Sequence, residues 1–570
     1  MNSTLANVTG VRPDPHTQQG LVTTIGSQST LLVIFGLLAS YLFYAKNAKS
    51  SKYANLPLPP GPPRLPLIGN MFNNPDRLRW IVHYLWKLDY GPVVYLNVFG
   101  NPIIVLTTVE AAHDLINKRA SKYAGRPLSV IGGELLAKGY NMAFRQYDSR
   151  TRLHQRLHVP GLNPRSANVY QPIHKLESLE LLHDMIQDSK FDSKPNEKTI
   201  GSLQESVEQE TKPQDPRLHF QRAAGSSMNA IMFGRRLVKG DPDSDAKMDF
   251  FNTCPTLNII EKITLVDIFP FLKHIPHVIS PWKRVAEPLF EIEKEFHLKN
   301  LHNALEQPGY NLSKQILDSA KRLDPDMSET EVAWVLGALF IANSDTSPSF
   351  LCWLVVMMIN HPQVIRKAQS ILDEVVGHDR LPMYEDRAQM VYIDAIIDEV
   401  FRWRPILPTG LEHSSTEEDE YNGYRIPKNS IMIISQWAMA RDKAAFGADA
   451  DEFRPERWME RDDLPTVVFG HGRRTCPGRH VARDALWIMV ARLLWAFDME
   501  APFVPNTTRR KIIDEMAMPT HGIIIGPSPF EAVFRPRGEW VERVVQKDFE
   551  EADFDLGKIM EQVAVSKGFQ

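Results

Sequence analysis

Apolar and polar positions change period several times along this chain, and each change predicts an element. Residues 30–45 are almost wholly apolar, and reaching back to Ile25 gives about 20 helical residues, enough to cross a hydrocarbon core of about 30 Å. Lys46, Lys49 and Lys52 follow at once, which places that end in the cytosol. Residues 25–45 are therefore predicted to be a transmembrane signal anchor and residues 1–24 a luminal leader. The run starts too late, and lacks the small-residue pattern, for a cleaved signal peptide. Asn2-Ser3-Thr4 and Asn7-Val8-Thr9 are glycosylation acceptors in such a leader. Residues 46–63 carry the lysines and then a proline-rich stretch ending at Pro63; prolines fix φ, so a stiff spacer is predicted.

Beyond the spacer the pattern is that of a mainly helical domain with small β-sheets. Residues 93–98 and 103–106 are β-branched runs separated by a glycine turn and read as two strands; 421–436 reads as further strands, and Ile523, Ile524 and Ile525, between Gly522 and Gly526, as a late one. Long helical periods run over 328–360, opened by a Ser328/Glu331 capping box, and over 385–403. Residues 188–215 are polar and poor in aromatics, which predicts a surface insertion remote from any chemistry. One large unit over 64–535 results, with a C-terminal extension over 536–570.

Composition removes some function classes. With 65 basic and 69 acidic residues the formal charge is −4, and no aromatic–basic recognition motif accompanies it, so nucleic acid is not an expected partner. Three cysteines, Cys254, Cys352 and Cys476, are too few for a disulfide framework. Cys254 and Cys352 have apolar neighbours and read as packing. Cys476 does not: Arg473, Arg474, Pro477, Gly472 and Gly478 surround it. Positive charge lowers a thiol pKa and glycine lets backbone approach a flat ligand, a pattern suited to a thiolate metal ligand.

Two further constellations stand out. Glu399 and Arg402 share a helix face at i,i+3 beside the apolar Ile393, Ile396, Ile397 and Val400. On a surface such a pair contributes under about 1 kcal/mol. In the middle of the 328–360 helix lies Ala342-Asn343-Ser344-Asp345-Thr346-Ser347-Pro348, polar residues that need partners if buried. Pro348 leaves the Ser344 carbonyl without its intrahelical donor.

The segment from Phe469 to Gly478 resembles the cytochrome P450 haem-binding signature, and the other two constellations stand in that family's order. The resemblance implies a P450 fold with haem b, Cys476 as the axial iron ligand, Arg474 on a haem propionate, Gly472 at the tight turn, Phe469 near the sulfur and Gly478 at the close approach. It implies a buried triad of Glu399, Arg402 and Arg457, the last from Phe453-Arg454-Pro455-Glu456-Arg457-Trp458. Asp345 and Thr346 match the acid and threonine that manage protons for dioxygen cleavage. Asn343 stands where the family has glycine, and its side chain either narrows the groove or adds a hydrogen bond. Thr151 and Gln155 replace a tryptophan and an arginine that reach a propionate in many relatives, leaving Arg152, His154 and Arg156 as substitutes.

The same resemblance implies pocket walls over 130–140, 251–276, 340–346, 406–411 and 516–521, with Phe340, Asn343, Ile406, Leu407, Met516 and Met518 as lining candidates. Their mostly apolar character points to a lipophilic small molecule. The pattern including Tyr421 to Lys428 is similar to fungal secondary-metabolism P450s, among them the oxidoreductases of methylated sterigmatocystin. A monooxygenase is therefore expected in the endoplasmic reticulum membrane, fed with NADPH electrons by cytochrome P450 reductase, with cytochrome b5 as a second donor. Oxidative coupling or ring formation is a variant; a redox-independent isomerase or dehydratase and a non-catalytic haem sensor are the rival classes.

Overall fold

The computed structural model describes residues 52–73, 77–190, 211–254, 265–520 and 522–568. The leader, the anchor and both glycosylation acceptors lie outside the described residues, as do 191–210 of the polar insertion, 255–264 of one expected pocket wall, and His521.

Helix α1 (Arg79–Tyr90) leads into β1 (Val93–Val98) and β2 (Asn101–Leu106). The connecting Phe99 and Gly100 both have positive φ, 49° and 86°, the turn that suits a two-residue hairpin. Next come α2 (Ser149–Leu162), α3 (Gln171–Asp188), α4 (Arg217–Phe233), α5 (Pro281–Glu306), the 32-residue α6 (Glu329–Asn360), α7 (Pro362–Val375) and α8 (Val391–Trp403). Short strands β3 (His413–Ser414), β4 (Asp419–Tyr421), β5 (Tyr424–Ile426) and β6 (Ile431–Ile434) precede α9 (Arg479–Ala496). The chain closes with β7 (Phe497–Glu500), β8 (Val533–Pro536), α10 (Glu539–Glu551) and α11 (Leu556–Lys567).

One sheet has the order β1-β2-β6-β3, with β2 and β6 parallel and Ile104 opposite Met432. The proline-rich stretch is bonded onto this body: Tyr95 N–H donates to the Pro60 carbonyl at 2.9 Å and Arg425 N–H to Pro57 at 2.8 Å. Among the described residues only α6 is long and apolar enough to cross a membrane, and 78% of its most apolar window is buried in the domain. Its second half packs with α8 and α9 in the largest core cluster and its first half with α4 in another. It is the central strut, which is why its sequence is apolar on nearly every face.

Three expectations change. Residues 523–525 form no strand; Ile525 makes one backbone bond, to the Ile406 carbonyl at 2.8 Å, and its own carbonyl takes the Trp353 indole N–H at 3.0 Å. The late sheet is instead β7 with β8. The period over 385–403 splits into a short turn, Tyr384–Gln389, and α8, broken at Met390 with φ −114° and ψ 43°. The capping box is half formed: Ser328 accepts from Glu331 N–H at 3.2 Å, but the Glu331 carboxylate is taken by Arg150 and by His154 Nε2.

Candidate active site

Cys476 stands just before α9, in a loop closed by its own N–H donating to the Phe469 carbonyl at 2.7 Å. Gly472 turns with φ 57°, and a Cβ there would lie 2.4 Å from the Ile116 carbonyl oxygen. Its N–H donates to Asn117 Oδ1 at 2.8 Å, clamping the loop to the turn His113–Lys118. Burial pushes the Cys476 thiol up, while main-chain N–H groups of Gly478 and Arg479 and the Arg479 charge pull the other way. The 18-residue α9 starts there, so the positive end of its dipole lies at the sulfur and favours a thiolate. Gly478 has an ordinary φ of −84°, and a Cβ on it would meet nothing within 4 Å. Neither backbone strain nor protein packing requires glycine here.

The polar centre of α6 continues as helix through Pro348. Ser344 Oγ donates to the Ile341 carbonyl at 2.7 Å and Thr346 Oγ1 to that of Ala342 at 2.8 Å. Asn343 adds a hydrogen bond: its Nδ2 donates across to the Ala224 carbonyl of α4 at 2.9 Å and its Oδ1 accepts from Ser347 at 3.1 Å. Ala342 is exposed in mid-helix, with half-buried Ala338 and Thr346 one turn to either side, so a stripe of this buried helix is left uncovered. Beside it the Asp345 carboxylate accepts from Arg217 Nη1 at 3.3 Å. Burial raises its pKa, and the Arg217 charge opposes that. Phe350 stacks near Phe401 of α8 at 4.3 Å, and Phe401 near Phe469 at 5.3 Å, linking this part of α6 to the cysteine loop.

Two cations, buried Arg126 and half-buried Arg474, meet beside that loop. Arg474 donates to the carbonyls of Ala124 at 2.9 Å, Met142 at 3.0 Å and Arg145 at 2.6 Å; Arg126 donates to those of Leu411 and Glu412 at 2.9 and 2.7 Å. Among the described residues neither forms an ion pair, and Arg126 Nε is buried without a partner. Burial lowers Arg474 to about 10, and burial together with the Arg474 charge lowers Arg126 to about 9. His413, also buried, is held well below its ordinary value by burial and by Arg126. Neither guanidinium is ion-paired among the described residues, with Glu412 acting on Arg126 and Asp148 on Arg474 only at longer range, a setting that suits a further anion. Sequence reasoning found Arg474 and missed Arg126 and His413, which stand in no spacing pattern with Cys476.

The positions that depart from the family pattern are engaged elsewhere. Thr151 Oγ1 donates to the Gln146 carbonyl at 2.6 Å, and Gln155 Nε2 to that of Arg473 at 2.8 Å. His154 is spent on Glu331 at 2.8 Å, and Arg152 and Arg156 are exposed.

The Glu399 carboxylate is buried and fully used. Arg402 reaches it at 2.7 and 2.8 Å, Arg457 Nε at 3.2 Å, Trp458 Nε1 at 2.9 Å and Arg454 N–H at 2.7 Å. The remaining Arg402 donors bind the carbonyls of Ala440, Ala450 and Glu452. This knot ties α8 to the chain leading into the cysteine loop and touches no open space.

A sequence profile of the cytochrome P450 family matches residues 59–531. The chain belongs to that family. It is 35% identical to the cytochrome P450 monooxygenase aneD of Aspergillus aculeatus over 94% of this chain and 98% of the relative. It is 31% identical to the cytochrome P450 monooxygenase FrzL of Cladobotryum sp over 93% and 96%, and 30% identical to the echilunin cytochrome P450 monooxygenase of Aspergillus ruber over 95% and 96%. The chain is thus a P450 oxidoreductase of the monooxygenase type, and the family implies haem iron.

The residues fit haem. A P450 needs a thiolate and cations for two propionates; Cys476, with the N–H groups of Gly478 and Arg479 at its sulfur, and the neighbouring guanidiniums of Arg126 and Arg474 match these needs. The pocket candidates fare unevenly. Phe340 is turned into the core against Phe233, ring centroids 5.2 Å apart, because that face of α6 meets α4. Asn343 is drawn to α4 as described. Ile406 and Met518 are buried in the main core and Leu407 packs against it. Met516 lies on the Arg404 guanidinium, sulfur to nitrogen 3.7 Å.

Proposed function

We propose that this P450 hydroxylates or otherwise oxidises a lipophilic small molecule of fungal secondary metabolism, with dioxygen and NADPH-derived electrons. The observation that carries the reading is Cys476 held at the start of α9 in a loop closed on the Phe469 carbonyl. Haem b, when bound, supplies the redox and oxygen chemistry. Cys476 would hold its iron; Arg474, with Arg126, would neutralise its propionates; Phe469, Gly472 and Gly478 would shape its cysteine side. Asp345 takes up and releases a proton at its carboxylate, and Thr346 orients water on the uncovered stripe of α6. Glu399, Arg402 and Arg457 hold the pocket together. The Ala338–Ala342 stripe excludes polar groups and favours an apolar ligand.

NADPH–cytochrome P450 reductase is the proposed electron donor, with cytochrome b5 as a second. Exposed Arg152, Arg156 and Arg473 surround the cysteine loop and suit an acidic docking face. The endoplasmic reticulum membrane is the proposed location. In its favour are the apolar 25–45 run and the exposed apolar side chains of Leu67, Met71, Phe72 and Phe271.

The test is the carbon monoxide difference spectrum of reduced membranes holding the full chain, with Cys476→Ser alongside. A thiolate-type Soret band lost in the variant, followed by NADPH-dependent conversion of lipophilic metabolites, is the expected result. Bound haem without that band removes the assignment. Conversion that needs no NADPH points to an isomerase or dehydratase.

A further inference from the structure

A short segment ahead of α2 touches both of the cations that meet beside the cysteine loop. Arg474 Nη2 donates to the Arg145 carbonyl at 2.6 Å. The Gln146 side chain is bonded twice to the Arg126 main chain, Oε1 accepting from its N–H at 3.3 Å and Nε2 donating to its carbonyl. Asp148 closes the segment, capping α2 through Thr151 N–H at 2.8 Å and taking the Arg145 guanidinium at 2.9 Å. Tyr147 stands between these anchors, so its place is fixed by its neighbours and its side chain is free for another task.

That side chain is half-buried, and three guanidinium carbons surround its ring, those of Arg473 and Arg474 at 5.4 Å and that of Arg152 at 5.9 Å from the centroid. Asp148, the carboxylate on this segment, is paired with Arg145 and acts on Arg474 only at longer range. Like charges gathered in this way repel one another, and a ring returns only about 0.5–1 kcal/mol per contact at exposed sites. An anion at the same place offsets the repulsion. The Tyr147 hydroxyl makes no hydrogen bond among the described residues, whereas the neighbouring polar side chains of α2 are spent: Thr151 Oγ1 donates to the Gln146 carbonyl at 2.6 Å and Gln155 Nε2 to that of Arg473 at 2.8 Å. An uncommitted O–H among three cations suits an acceptor that is itself anionic.

Resting on the haem reading above, we infer that Tyr147 is a cofactor-anchoring residue: its hydroxyl donates to a haem propionate that Arg474 attracts, and its ring keeps Arg473 and Arg474 in place. Thr151 and Gln155, held by main-chain carbonyls, leave that bond to it.

The experiment uses the full chain with haem in membranes and needs no substrate. The parent is compared with Tyr147→Phe, which removes only the hydroxyl, and Tyr147→Leu, which removes the ring as well. The first readout is the rate at which ferric haem passes to excess apomyoglobin; the second is the propionate bending band in the resonance Raman spectrum. Tyr147→Phe is expected to release haem severalfold faster and to shift the propionate band, with expression and the thiolate-type carbon monoxide spectrum unchanged. Tyr147→Leu is expected to release haem faster still. A Phe variant that matches the parent in both readouts overturns the inference, because the hydroxyl then faces water only. Faster release with an unshifted propionate band overturns it too and leaves Tyr147 a packing role. A parent protein without the thiolate-type spectrum sinks the oxygenase reading itself, and this inference with it.

Discussion

Arg126 and Arg474 are costly to bury in the protein alone, since each is a cation with carbonyl partners and no ion pair among the described residues. On the proposed assignment of both to the haem propionates, haem binding and local folding are coupled here. Arg126→Met is expected to lower the haem-to-protein ratio severalfold while leaving the unfolding midpoint of haem-free protein equal or higher; absorbance per protein and a thermal melt measure both. Gly472 is a different kind of position. Alanine there must adopt φ near 57°, costing about 1–2 kcal/mol, and must push the Ile116 carbonyl away from a 2.4 Å approach. Gly472→Ala is expected to cut the yield of thiolate-type carbon monoxide spectrum at unchanged expression. Cys476 was legible in sequence because a glycine-flanked, arginine-rich setting makes poor core. Arg126 was not, because an arginine before a proline carries no local sign of what it will face after folding.

Between elements, the clamp of α2 on α6 is a charge network. Arg150 and His154 bind the Glu331 carboxylate. Burial alone would raise the Glu331 pKa, but these partners outweigh it and hold it at about 2, below its ordinary 4.5. A carboxyl group with a depressed folded pKa contributes stability that is complete above its unfolded value and lost as pH falls through the folded one. Stability from this clamp should therefore fade as pH drops from 4.5 toward 2. Thermal midpoints measured against pH are expected to fall less steeply across that window in Glu331→Gln than in the parent. The serine and glutamate spacing predicted a helix start, and a helix does start there. A competing pair of partners on α2, distant in sequence, decided where the carboxylate went. The same holds for α8, whose apolar stripe was readable, while the break at Met390 was not.

At the scale of the whole molecule the C-terminal helices belong to the body. Val541 and Val545 of α10 and Met560 and Val563 of α11 are buried, Trp540 meets Trp495 of α9 at 4.6 Å, and Phe549 stacks on His183 of α3 at 3.8 Å. Each fully buried apolar side chain contributes roughly 1.5–3 kcal/mol. Ending the chain after Gly538 is thus expected to lower the melting midpoint of the haem protein far more than deletion of residues 191–210. Differential scanning calorimetry of the two deletions checks this. The family profile stops at residue 531, before β8 and both of these helices.

The sequence by itself determined what depends on neighbours in the chain. Strands β1 and β2 followed from β-branched alternation, α6 from its length and apolar content, and the thiolate loop from residue types within a ten-residue stretch. Tertiary structure alone decided what depends on partners far along the chain. It paired β7 with β8 rather than making a strand of 523–525, and it turned Phe340 into the core. It sent Asn343 and Asp345 to α4 and brought Arg126 and Arg474 together beside the cysteine loop. The reason is range: backbone propensity and periodicity act over a few residues, whereas the direction of a buried polar side chain is set by whichever distant donor or acceptor completes its hydrogen bonds.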